Sequence, residues 1–151
     1  MIADTPQDKL RLDELLVRRG LYATRSRAKD AVLRGTVRVD GVNLTKPGVL
    51  LPVESRVETE DAAQKYVSRA ALKLIAGLDH FALSPQDTIA LDIGASTGGF
   101  TQVLLERGAA HVIAVDVGHD QMHASLLNDS RITNLEGLNA RDLTAGHLNG
   151  Q

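Results

Sequence analysis

The chain has no cysteine, and only 3% of its 151 residues are aromatic. Without cysteine, neither a disulfide framework nor a cysteine-rich zinc site can form. So few aromatic rings also mean that base stacking cannot dominate a contact with nucleic acid. No apolar run reaches membrane-spanning length, and Met1 to Asp8 lacks the apolar core of a signal peptide. A cytoplasmic location is therefore the expectation. What is present, 43% hydrophobic and 24% charged residues, suits an ordinary globular chain of one domain or two small ones.

Charge is unevenly placed. Between Lys9 and Lys46 ten Lys and Arg face four Asp and Glu, a local charge of +6 within a chain whose net charge is −2. From Asp61 onward six bases meet ten acids, a charge of −4. A basic appendage that seeks polyanions, joined to a body that does not, is the reading this favours. A merely solvated basic face is the alternative.

Glycines punctuate a second feature. Thr88-Ile89-Ala90-Leu91 is a short apolar run, expected as a strand buried on both faces. Phe100, Val103, Leu104 and Arg107 then follow helical spacing until Gly108 stops the helix. Between them lies Asp92-Ile93-Gly94-Ala95-Ser96-Thr97-Gly98-Gly99, a strand-to-helix turn expected to aim free backbone N–H groups at a ligand. Val112-Ile113-Ala114-Val115 reads as a second buried strand ending at Asp116, 22 residues after Gly94. That is close to the ~20 expected for an acid that grips a ribose diol.

The glycine spacing, G-x-x-x-G-G with no following lysine, fits neither the dinucleotide fingerprint nor a P-loop. Asp92 beside the ligand disfavours phosphates and suits a cation. S-adenosylmethionine fits, with a sulfonium, an ammonium, a carboxylate for the N–H groups and a ribose for Asp116. A nicotinamide-dependent oxidoreductase is disfavoured by the spacing. The bland alternative is a turn whose glycines serve only the bend.

Ahead of this lies a smaller unit. Leu10, Leu12, Leu15 and Leu16 mark a short helix closed by Gly20. Thr24 or Ser26 caps a second helix, buried through Ala28, Val32 and Leu33 and ended by Gly35. Val37-Arg38-Val39 and Val42-Asn43-Leu44 flank Asp40-Gly41, a strong hairpin signal, and Arg56-Val57-Glu58 is a closing strand. Residues 59–66 read as a polar linker. Ser68 caps the next helix, whose buried stripe is Ala71, Leu72, Ile75 and Leu78. Arg69 and Lys73 lie four apart on it, a spacing at which like charges repel unless solvent or an anion intervenes.

Leu12-Asp13-Glu14-Leu15-Leu16-Val17-Arg18-Arg19-Gly20, Ser26-Arg27-Ala28 and Gly35-Thr36-Val37-Arg38-Val39-Asp40-Gly41 resemble the S-four RNA-binding domain. That resemblance implies RNA as a partner, with Arg25, Arg27, Lys29 and Arg34 as phosphate contacts, which position RNA without reading its sequence. Adding Tyr66-Val67-Ser68-Arg69-Ala70-Ala71-Leu72-Lys73-Leu74, the glycine turn through Thr101 and Val115-Asp116-Val117-Gly118, the whole order resembles the TlyA family of ribosomal-RNA methyltransferases. Their catalytic domain is similar to FtsJ-type 2′-O-methyltransferases.

The resemblance implies transfer of a methyl group from S-adenosylmethionine to the 2′-hydroxyl of cytidines in ribosomal RNA or ribosomal subunits. It implies cofactor contacts at Asp92, Gly94, Ala95, Ser96, Gly98, Gly99, Phe100, Asp116 and Val117, and at Asn139 near the adenine. Ser96 is expected as a loop donor to the cofactor carboxylate. Of the family's Lys–Asp–Lys–Glu tetrad only the first member maps here, onto Lys73, with Arg69 beside it as an RNA contact. Ala70-Ala71 stands where the family usually has glycines.

The expected fold class is α/β. A mobile tail (1–9) precedes a small α+β RNA-binding domain (10–58), a linker (59–66) and a Rossmann-like, doubly wound methyltransferase domain (67–151). Ile132-Thr133-Asn134-Leu135 is its third strand, so the domain is expected to be cut off after about three strands, as the N-terminal portion of a longer protein, inactive by itself. A non-catalytic RNA-binding protein with a vestigial Rossmann-like part is the rival. His119 and His123 are spaced for a metal but no third ligand stands nearby, and His80, His111 and His147 are isolated, so no metal is expected. The family has also carried the label haemolysin. No segment here has the apolar length or cationic amphipathicity for membrane lysis.

Overall fold

A computed structural model describes residues 8–148. The expected mobile tail lies, but for Asp8 and Lys9, outside the described residues. The chain divides into two compact units between Gln64 and Lys65.

The first unit comprises β1 (Lys9–Arg11), α1 (Leu12–Arg18), α2 (Arg25–Leu33), β2 (Val37–Val39), β3 (Val42–Asn43), β4 (Leu50–Pro52) and β5 (Val57–Thr59). β1 pairs antiparallel with β4, and β2 pairs antiparallel with β3 on one side and β5 on the other. Asp40 and Gly41 both have positive φ (49° and 81°), as a two-residue hairpin between right-twisted strands requires. Its core is Leu12, Leu16, Tyr22, Ala28, Ala31, Val32, Val37 and Val39.

Two expectations are corrected and one alternative is resolved. Leu10 is on a strand, paired with Leu51, so the first helix starts two residues later. Thr24, not Ser26, is the cap of α2, its hydroxyl accepting from the Arg27 N–H. Leu33 is 58% exposed, and Ala31 takes its place in the core. Ala28, Ala31 and Val32 share one stripe at i, i+3, i+4, and Leu33 falls a further 100° around the helix.

Residues 59–64, expected as linker, are instead packed. Thr59 pairs with Val37, and Ala63 is buried. Asp61 accepts two hydrogen bonds from the Arg34 guanidinium, both 2.9 Å, and one from Tyr22 Oη at 3.1 Å.

The second unit comprises α3 (Ala70–His80), β6 (Ile89–Ile93), α4 (Gly99–Glu106), β7 (His111–Val115), α5 (Ala124–Leu127), β8 (Ile132–Leu135) and short 3-10 turns at Ala140–Asp142 and Ala145–Leu148. The strands form one all-parallel sheet in the order β6-β7-β8. Tyr66, Ala71, Leu78 and Val103 join α3 to α4, and Leu105, Ala109 and Val112 join α4 to the sheet.

β7 is buried along Val112–Val115, as its unbroken apolar run indicates. β6 is not buried on both faces. Ile89, Leu91 and Ile93 are 52%, 42% and 57% exposed, whereas Asp92 between them is 5% exposed. Among the described residues β6 has a partner strand on one side only, and no element covers the face its odd-numbered residues present. A continuous apolar run cannot distinguish a central strand from an edge strand with one open face.

Candidate cofactor and RNA sites

β6 delivers Asp92 and Gly94 to the carboxyl end of the sheet, where the chain must reverse into α4. Gly98 makes this possible: its φ is 97°, and an added Cβ would stand 2.5 Å from Leu126 Cδ1 and 2.7 Å from Met122 Sδ. At Gly99 an added Cβ would stand 2.9 Å from Ser68 Cβ. The loop therefore sits tightly between α5 and the segment leading into α3.

Two adjoining cavities open here, sharing Ile93 and Gly94. One, about 260 Å³, is lined by Ser68, Ala70, Lys73, Asp92, Gly94–Thr97, Gly99 and Phe100. The other, about 170 Å³, is lined by Val115, Asp116, Val117, Leu138, Asn139 and Ala140. The first is acidic at its floor with a lysine on its rim. The second is walled mostly by apolar groups around one carboxylate.

Asp116 is fixed from two sides. Its Oδ2 accepts from the Ser96 N–H and its Oδ1 from the Gly118 N–H, both at 2.8 Å. Each carboxylate oxygen keeps acceptor capacity beyond these bonds. The Ser96 N–H is thus spent on Asp116, while Ser96 itself lines the first cavity. The N–H groups of Gly94 and Ala95 are likewise spent on Val115 O, and that of Gly98 on Ala95 O. The loop's amides thus mostly hold the loop, and in the first turn of α4 the Thr101 N–H is directed at the Asp92 carboxylate.

Asp92 accepts a 2.7 Å hydrogen bond from Thr101 Oγ1, and both residues are buried. Burial pushes the Asp92 carboxyl above the usual carboxylate range. The Thr101 hydrogen bonds pull it back in part, and the charge of Asp116 adds to the rise. A buried acid in this state, in no ion pair among the described residues, suits a cationic ligand.

Of the other expected cofactor residues, Ala95 reaches the first cavity but is packed with Ala114, Met122 and Leu126 under the loop. Gly98 lines neither cavity and acts through the turn. Asn139 lines the second cavity while its Oδ1 accepts from the Arg141 N–H at 3.0 Å. Lys73 lines the first cavity, whereas Arg69 stands at the boundary of α3 and does not. Sequence reasoning missed Ser68, Leu138 and Ala140 as lining residues, and Thr101 as the partner of Asp92. The signal for Thr101 was its place in the first turn after the glycines, on the side of α4 facing the strand end.

In the first unit the expected RNA contacts separate. Arg25 is bound to Asp13 at 3.1 Å, and Arg34 to both Asp61 and Asp30, the latter at 2.8 Å. Arg27 donates to Ala63 O at 3.4 Å. Lys29 is exposed and carries no ion pair among the described residues. Burial works against ionising Asp61, but the Arg34, Ala63 and Tyr22 hydrogen bonds outweigh it and hold the carboxyl below its ordinary value. Asp13 behaves likewise: burial is outweighed by Arg11 and Arg25.

Comparison with known proteins decides the family. FtsJ-like methyltransferases match over residues 66–150, and the S4 domain matches over residues 10–57. The chain belongs to the FtsJ-like methyltransferase family. With an S4 domain ahead of the methyltransferase part, it is of the TlyA type. It is 44% identical to the 16S/23S rRNA (cytidine-2′-O)-methyltransferase TlyA of Mycobacterium tuberculosis, over 95% of this chain and 54% of that protein. It is 42% identical to Hemolysin A of Brachyspira hyodysenteriae, over 94% of this chain and 59% of that one. A solved protein of Streptococcus thermophilus named as a hemolysin superposes with a TM-score of 0.59 at 39% identity, covering 95% of this chain and 53% of its own. This TlyA-type chain thus spans about half the length of the relatives it matches. Among its described residues no helix is long and apolar enough to cross a membrane.

Proposed function

We propose that this chain carries the S-adenosylmethionine site and the RNA anchor of an enzyme that methylates the ribose 2′-hydroxyl of cytidines in ribosomal RNA. The observation that carries the proposal is Asp116, held by Ser96 and Gly118 at the end of β7, with an apolar slot on one side and the Asp92 cavity on the other. The residues fit the cofactor. The Asp116 carboxylate has lone pairs for a ribose diol. Val115, Val117, Leu138 and Ala140 offer apolar walls to a purine, with Asn139 as its polar neighbour. Asp92 offers a negative charge to a cation.

When bound, the cofactor supplies a methyl group activated by a sulfonium. This chain's residues orient and bias the reaction. Gly94, Gly99 and Phe100 line the same cavity as Asp92 and Lys73. Lys73, on the rim of the same cavity, places a positive charge near the incoming ribose, where it favours loss of the hydroxyl proton and stabilises the oxygen as negative charge develops. Holding donor and acceptor in near-attack geometry provides the remaining advantage. In the first unit, Lys29 takes a phosphate, whereas Arg34 and Arg25 act first by bracing the module through Asp61 and Asp13.

The test is calorimetry with S-adenosylmethionine and, separately, NAD. Saturable binding of the sulfonium cofactor in preference to NAD is expected. Preference for NAD would defeat the proposal.

A further inference from the structure

Asp92 and Thr101 form a buried pair that the cofactor proposal does not by itself explain. Asp92 lies near the carboxyl end of β6, in register with Ala114 of β7. Thr101 is 0% exposed in the first turn of α4, and its hydroxyl reaches Asp92 Oδ2 at 2.7 Å. A valine would fill the same space without the hydroxyl. A threonine here therefore leaves a polar atom in the core, and among the described residues Asp92 satisfies it. The other groups facing Asp92 are Asp116, across from it at the end of β7, and Lys73 of α3, on the exposed rim of the same cavity. One negative neighbour is close, and no cation is paired with it among the described residues.

We propose that Thr101 is a positioning residue that keeps Asp92 ionised and oriented as the acceptor for the cationic part of the cofactor, so that cofactor binding and ionisation of Asp92 form one coupled event. This rests on the cofactor reading above. Burial and the charge of Asp116 push the Asp92 carboxyl upward, and the hydroxyl of Thr101 opposes them. A cation binds the ionised form. Affinity then falls as pH drops through the raised value, and binding at that pH expels the Asp92 proton to solvent. Without the hydroxyl the carboxyl titrates higher still, and the loss of affinity begins at higher pH.

The experiment compares the wild-type protein with Thr101→Val and Thr101→Ser. Without ligand, carbon NMR of the Asp92 carboxyl is followed against pH. Asp92 is expected to titrate above the ordinary aspartate range, higher in the valine variant, and near the wild-type value in the serine variant. S-adenosylmethionine is then titrated calorimetrically at several pH values in two buffers of different ionisation heat. The valine variant is expected to lose affinity at a higher pH than the wild type as pH falls and to match it again as pH rises, with the serine variant restored. An Asp92 titration unmoved by the valine, or a loss of affinity equal at all pH values, overturns the proposal and leaves Thr101 a packing residue. A titration that moves with Thr101 but ignores S-adenosylmethionine overturns the coupling through failure of the cofactor reading. Should the valine variant not fold, the wild-type Asp92 titration with and without cofactor decides alone: it must fall on binding.

Discussion

Asp116 does two things with one carboxylate. It ties the glycine loop to the end of β7 through the Ser96 and Gly118 N–H groups, and it leaves acceptor capacity for a ribose. Asp116→Ala is therefore expected to weaken S-adenosylmethionine by about 1.5–3 kcal/mol, the range for a lost hydrogen bond to a charged group. Calorimetry measures this, and unchanged affinity removes Asp116 from the ribose. Lys73 differs, since it is exposed on the cavity rim and holds no part of the loop. In an active enzyme Lys73→Ala should lower turnover far more than cofactor affinity, as expected of a group acting in the transition state. Equal effects on both would make it a binding residue.

Among the elements, the pair formed by α2 and the segment after β5 depends on Arg34, Asp61 and Tyr22. Burial, then the neighbouring Asp61 charge and its hydrogen bond, push the Tyr22 phenol up to about 12. Its contribution to stability is complete below the ordinary tyrosine value and is lost as pH rises through about 12; absorbance of phenolate reports it. Asp61 and Asp13 are depressed, so their contribution is present above the ordinary aspartate value and disappears as pH falls through the lower folded one. Asp61→Ala should destabilise the first unit by about 1–3 kcal/mol, read by denaturant unfolding.

These acids also show what the sequence made legible. Residue types and spacing pointed to the hairpin, the glycine turn and Asp116, because turn chemistry and strand ends are local. They did not show that Asp13 and Asp61 would claim two of the arginines assigned to RNA, because the Asp61 pairing joins residues 27 apart in the chain. Leu10 and Leu33 misled for the same reason. Apolar character says a residue can be buried, and only tertiary packing says which one is. Nor could an apolar run reveal that β6 has, among the described residues, a partner strand on one side only.

At the scale of the molecule, the basic unit should bind RNA through the charges not already claimed by carboxylates. Lys29→Ala should weaken RNA binding across sequences and lower the salt slope by about 1. Arg34→Ala should act mainly by unfolding, visible in a lowered melting temperature before any change in slope. As an isolated polypeptide, residues 1–151 are expected not to methylate ribosomal RNA, since they span about half the length of the curated relatives they match and the apolar face of β6 stays open among the described residues. Stoichiometric transfer of labelled methyl groups by this polypeptide would show that its catalytic groups have been misplaced. The central claim, a sulfonium cofactor seated between the glycine loop and Asp116, is tested most directly by titrating isotopically labelled protein with S-adenosylmethionine and mapping amide shifts. Saturable shifts concentrated at residues 92–101, 115–118 and 138–140 are predicted, and their absence there, or saturable shifts centred elsewhere, would contradict it.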